Sequence, residues 1–166
     1  MLHKFRFVIA GVIIILVNQV VSFAVSASMP VSLRPAGTTR YAMVTASNAT
    51  STSVQLSWAD ISSLSQTITI PSGKRGDVMV LFCGATTSDE SGVSQYVRAL
   101  VGGAAASPSE SVMVPTGQKT KHCANFYRLN VPEGTRNVRM QWHNSWEIAT
   151  HRMYDRSMIV IVNIHD

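Results

Sequence analysis

Reactive chemistry is scarce in this sequence. Cys83 and Cys123 are its only thiols, and no Cys-x-x-Cys or Cys/His ligand spacing accompanies them, which argues against a structural zinc centre. There is no Gly-x-Ser-x-Gly elbow, no His-Glu-x-x-His and no phosphate-binding glycine loop, so nothing marks an enzyme. Beyond the N-terminal residues, no apolar run could cross a bilayer as a helix. Basic residues form no run interleaved with aromatics, which argues against nucleic acid as a partner. No helical period and no internal repeat stand out.

What is present begins with an export signal. His3, Lys4 and Arg6 form a basic region, Val8 to Val17 a short apolar core, and Val25-Ser26-Ala27 a small-residue cleavage site, with Ala24 as the alternative. Asn18 and Gln19 interrupt the apolar run short of the ~20 residues a spanning anchor needs, which favours a cleaved signal. The expected product starts at Ser28, is long enough for one domain with its own core, and is secreted or held at the cell surface. The signal carries two of the fourteen Lys/Arg and none of the nine Asp/Glu, leaving 12 − 9 = +3, a scattered excess. In an oxidising compartment Cys83 and Cys123 are expected to bridge, the alternative being two separately buried thiols.

The rest is written in period two. Ser28 to about Thr52 is rich in Ser, Thr, Ala, Pro and Gly, and reads as a leader or as an irregular first strand around Arg40 to Thr45. Asn48-Ala49-Thr50 matches a glycosylation acceptor. Ser53 to Trp58 alternates, as does Gln66 to Ile70. Asp77 to Cys83 is apolar on both faces, as an interior strand is. Strands follow at Tyr96 to Val101 (turned by Gly102-Gly103), Glu110 to Val114 and Lys119 to Val131. Val138, Met140 and Trp142 then fall on one side of a strand, with Arg139, Gln141 and His143 on the other, and Ser157 to Ile164 closes the chain. Trp58 and Trp142 share the phase of apolar neighbours, which predicts both in the core. Gly and Pro punctuate the boundaries, so an all-β sandwich or closed barrel is expected.

These motifs resemble bacterial and phage domains related to the C1q/TNF jelly roll. The resemblance rests on Trp58-Ala59-Asp60-Ile61, Val78 to Gly84, Val97 to Gly103, Asn130 to Thr135 followed by Val138 to Trp142, and Arg156 to Ile161. It spans about Val54 to Ile164 and implies a jelly-roll-like antiparallel β-sandwich of eight to ten strands over residues 53–166. It also implies a tendency to trimerise, and it carries over no binding residues. Gly102-Gly103 stands where Asp-Gly is common in the family, and Cys83 and Cys123 lie outside its pattern.

The expected function is therefore an exported, non-enzymatic module that binds or assembles, with a homo-oligomer, a trimer first, as partner. Tyr96, Phe126 and Tyr154 are candidates for an outward interface. An alternative is a carbohydrate-binding or adhesive domain. There Trp146 and Glu147, off the strand pattern, would act with Arg152 and Tyr154, the ring stacking on a sugar while polar groups take its hydroxyls. Another is a filament subunit that donates Met29 to Thr45 as a strand. No cofactor is expected, apart from calcium: Asp89 and Glu90, with Asp60 or Asp77, could supply the oxygen ligands it needs, although adjacent loop acids are more often simply solvated.

Overall fold

The computed structural model describes residues 37–46, 50–52, 57–90, 93–113, 118–145 and 150–166. The expected signal Met1 to Ala27, the Asn48 acceptor, Trp146 and Glu147 lie outside these residues.

Two strands organise the rest, and both are too long for one layer. β3 (Ala59–Ser88) has 30 residues and β7 (Thr120–Asn144) has 25. They pair antiparallel almost end to end, and their register shifts between Ile70 and Arg75 and again between Gly76 and Val78. There the pair turns a corner and exchanges one set of neighbours for another, as strands that switch sheets do. Gly76 is buried at this corner, and a Cβ on it would stand 2.8 Å from Ile70 Cδ1 and 3.2 Å from Val162 Cγ1. Only glycine lets the two walls meet so closely.

Before the corner, residues 59–70 of β3 pair with 134–142 of β7, and β7 pairs in turn with β4 (Gln95–Val101). β5 (Ala104–Ala105) and β6 (Ser111–Met113) flank β4 and complete a front sheet. Gly102 and Gly103 have φ of 60° and 84°, the two left-handed residues that a tight β4–β5 hairpin needs. After the corner, residues 75–88 of β3 lie between 120–132 of β7 and β8 (His151–His165). β1 (Thr38–Ala46) and β2 (Thr50–Thr52) pair with the far side of β8. The back sheet thus runs β1, β8, β3, β7, and the front sheet β3, β7, β4, β5. With every pairing antiparallel, this is the jelly-roll order. Residues 38–46 pair along their length with 156–164 of their own chain, so this part of the N-terminal stretch is an edge strand.

The inner faces alternate as period two demands. Val78, Val80 and Phe82 of the back sheet face the same core as Val97, Met140 and Trp142 of the front sheet. Two sequence expectations change here. Trp142 is buried in the core, but Trp58 is only half-buried, because it stands one position before Ala59, the residue opposite Trp142. One step along a strand reverses the face. Phe126, a candidate for an outward interface, is fully buried, and its neighbour Tyr127 takes the outer face. Cys83 and Cys123 stand directly opposite each other on β3 and β7 and form the expected disulfide, closing a separation of 40 residues.

Candidate binding surfaces

The outer face of the back sheet carries an apolar band. Outward positions on neighbouring strands line up in two rows. Met43, Ile159 and Leu81 form one row, and Ile161, Met79 and Tyr127 the next, with Leu129 beside it. Met43 is 65% exposed, Leu129 56%, Met79 46% and Tyr127 42%. Met79, Tyr127, Leu129 and Ile161 line a shallow depression of about 150 Å³. The next row in one direction holds the Cys83–Cys123 disulfide and Ser157, and the other end of the band reaches Asp77 and Asn163. On β7 the first row ends in Asn125; three apolar positions in each row, with Leu129, make a band on the order of 200 Å², and the whole face is on the order of 500 Å². Charges sit at its ends. Lys119 Nζ lies 2.7 Å from Asp155 Oδ2 and holds that carboxyl below its usual range. At the corner Lys74 pairs with Asp166, and Asp77 faces His165 Nε2 at 3.2 Å.

The outer face of the front sheet is built differently. Trp58, just before β3, forms a row of rings with His143 of β7 and Tyr96 of β4. His143 meets Trp58 edge-on at 4.3 Å between centroids and stacks on Tyr96 at 4.7 Å. Beside them runs a row of planar polar groups. Arg98 donates from Nε and Nη2 to Gln141 Oε1, at 2.9 and 2.7 Å. Gln141 Nε2 donates to Asp60 Oδ1 at 2.7 Å, and Arg139 Nη1 donates to Asp60 Oδ2 at 3.0 Å. The Arg98 guanidinium also lies over the Trp58 ring, 4.1 Å from its centroid. Partial burial lowers the pKa of Arg98 from its usual value, with Arg139 adding repulsion and Glu110 opposing both.

At one end of the sandwich, two crossover segments between the sheets are fastened together. Asp89 N donates to Thr150 O at 3.3 Å, and Thr150 N returns a bond to Asp89 Oδ1 at 2.6 Å. Ser145 N donates to Ser94 O, and Ser94 N to Ser145 Oγ. The bond from Thr150 N is the main cause that lowers the Asp89 carboxyl below its usual value, with Arg152 adding a smaller charge effect. Just inside this end lie Thr86, Gln95 and His151, each fully buried. Burial pushes the His151 imidazole down, against a smaller upward pull from Asp89.

The residues singled out from the sequence are therefore dispersed. Arg152 and Tyr154 alternate outward from buried His151 and Met153. Arg152 acts on Asp89, whereas Tyr154 lies under Lys119 Nζ, 4.9 Å from its ring centroid. Asp60 belongs to the front-sheet network, Asp77 to the corner and Asp89 to the crossover end, with Glu90 N bonded to Ser88 Oγ beside it. Asp77 and Asp89 are separated along β3 by on the order of 40 Å. Among the described residues, no three His, Cys, Asp or Glu come together as a metal site. Nor is any helix among them long and apolar enough to cross a membrane. Sequence reading missed the front-sheet network. The signal for it was the shared polar phase of Arg139, Gln141 and His143, whose partners only the strand order reveals.

No protein-family model matches this chain, and no curated protein matches its sequence. Among solved structures, it is similar to dimeric latent PorU from Porphyromonas gingivalis, with TM-score 0.47 and 9% identity. That likeness covers 78% of this chain and 13% of PorU, so the chain spans only a small part of PorU. It is also similar to the C-terminal domain of EclA, a sugar-binding protein, with TM-score 0.41 and 11% identity over 68% of this chain and 78% of that one.

Proposed function

We propose that this protein is an exported, non-catalytic jelly-roll module that works by assembling with copies of itself through the outer face of its back sheet. The observation that supports this is the apolar band of Met43, Met79, Tyr127 and Leu129, continuous across four strands and held on a rigid sheet. Apolar area of this kind gains about 25 cal/mol per Å² when water leaves it. A patch of about 200 Å² is smaller than a typical monomer's largest, but here it is continuous and has charged pairs at its ends.

The area suits a second copy. Covering the whole face removes on the order of 500 Å² from each partner, or about 1,000 Å² in all, the lower limit for a specific interface. The assembly is a small closed homo-oligomer, as most are: this face meeting its like closes as a two-fold dimer, whereas the trimer that the C1q/TNF resemblance implies has each subunit offer two different parts of the face to its two neighbours. The test is the molar mass of residues 28–166 in solution, alone and with Leu129→Glu.

A further inference from the structure

We propose that the open side of the sandwich is a binding slot for a small aliphatic carboxylate, whose tail lies between the sheets and whose head meets Arg40. β1 ends the back sheet on this side, and residues 59–70 of β3 end the front sheet. Among the described residues β1 pairs with β8 alone, so side chains must close the gap between the two edges. The register gives their order. Arg40, Ala42, Val44 and Ala46 stand opposite Val162, Val160, Met158 and Arg156 and share the inner face with them. At one end Arg156 reaches across, donating from Nε and Nη2 to Ser62 O at 3.1 and 2.9 Å. Val44 packs against the core beside it. At the next inner position Ala42 is too short to meet the opposite edge, and a slot of about 240 Å³ opens there.

The lining of the slot is divided. Ile68, Val160 and Val162, all buried, form an apolar floor, Thr67 and Thr69 follow the β3 rim, and exposed Arg40 stands at one end. No ion pair among the described residues engages Arg40. An apolar floor with a cation at its end is complementary to an apolar tail with an anionic head, and a guanidinium takes a carboxylate through two parallel hydrogen bonds. Size narrows the class. The slot runs on the order of 7 Å along the strands, and its volume lies below the ~300 Å³ of drug-sized sites. Long acyl chains and peptide strands overrun it. The slot is separate from the assembly face, which is the outer side of the back sheet.

The experiment titrates residues 28–166, with labelled Ile and Val methyl groups, with butanoate, hexanoate, octanoate and hexanol, and follows the methyl signals by NMR. Signals of Ile68, Val160 and Val162 shift saturably with octanoate, and affinity rises about fourfold per added methylene until the slot is full. Hexanoate binds at least threefold more tightly than hexanol, and Arg40→Gln removes that difference. Ala42→Leu fills the slot and abolishes the shifts, while its circular dichroism spectrum matches the parent's. Leu129→Glu leaves affinity within twofold, so the slot and the assembly face stand or fall separately. The proposal is wrong if none of the three signals moves at millimolar octanoate, if they move alike in the parent and in Ala42→Leu, or if hexanol binds as tightly as hexanoate. Shifts confined to Ile159 and Ile161 would put the tail on the outer band, and shifts seen only after residues 28–36 are deleted would make that stretch the occupant. Either result overturns it.

Discussion

Met79 and Tyr127 stand directly opposite each other on β3 and β7, and both are exposed, although each has fully buried neighbours in Val80 and Phe126. A strand that buries one side chain and exposes a large apolar one next to it is serving two surfaces at once. The inner one holds the fold and the outer one is available to a partner.

That division gives a paired prediction. Phe126→Ala empties a fully buried position, so it is expected to cost about 3–5 kcal/mol of stability. Tyr127→Ala, one residue along, is expected to cost less than about 1 kcal/mol, and its effect falls on assembly. Urea unfolding of each variant, with sizing on the same samples, measures both. Equal losses of stability would mean that Tyr127 belongs to the core.

The disulfide is a second handle on the same sheet. Cys83–Cys123 closes a separation of 40 residues between directly paired positions, and a loop of that size contributes about 4 kcal/mol on the chain-entropy model. The double variant Cys83→Ala/Cys123→Ala should lose most of that in denaturant unfolding. A loss below about 1 kcal/mol would show that the strand pairing alone already restrains the unfolded chain.

Acid should loosen the crossover end before the rest. His151 is fully buried, and burial depresses its pKa, so the folded protein takes up fewer protons there than the unfolded chain. Stability therefore falls as pH drops below the unfolded histidine value of about 6.5. The lowered Asp89 carboxyl acts in a separate window. Its contribution is present above the unfolded value of about 3.9 and is lost as pH falls further. Thermal melts from pH 7 to 5 should show a decline that His151→Gln reduces. An identical slope in the variant would place the titration elsewhere.

Much of the architecture was legible in the chain itself. Alternation in Val138, Met140 and Trp142 marked an inner face, and Gly102-Gly103 marked a hairpin, because both are local signals. The long strands were not legible. Pro71-Ser72-Gly73 reads as a strand end, but in the structure the chain turns a corner there and keeps its partner β7. Trp58 misleads for a related reason, since its face is set by register with β7 about 80 residues away. The front-sheet network joins residues 43 and 81 positions apart, Arg98 and Asp60 to Gln141. Such pairs follow from strand order, which composition and periodicity do not specify.

The measurement that bears most directly on the whole account is the molar mass of residues 28–166 by light scattering on a sizing column, at micromolar concentration and moderate salt. Self-assembly through the back sheet predicts a discrete oligomer, a dimer or a trimer, that becomes a folded monomer in Leu129→Glu. A parent protein that is monomeric throughout, or an oligomer untouched by Leu129→Glu, would contradict it.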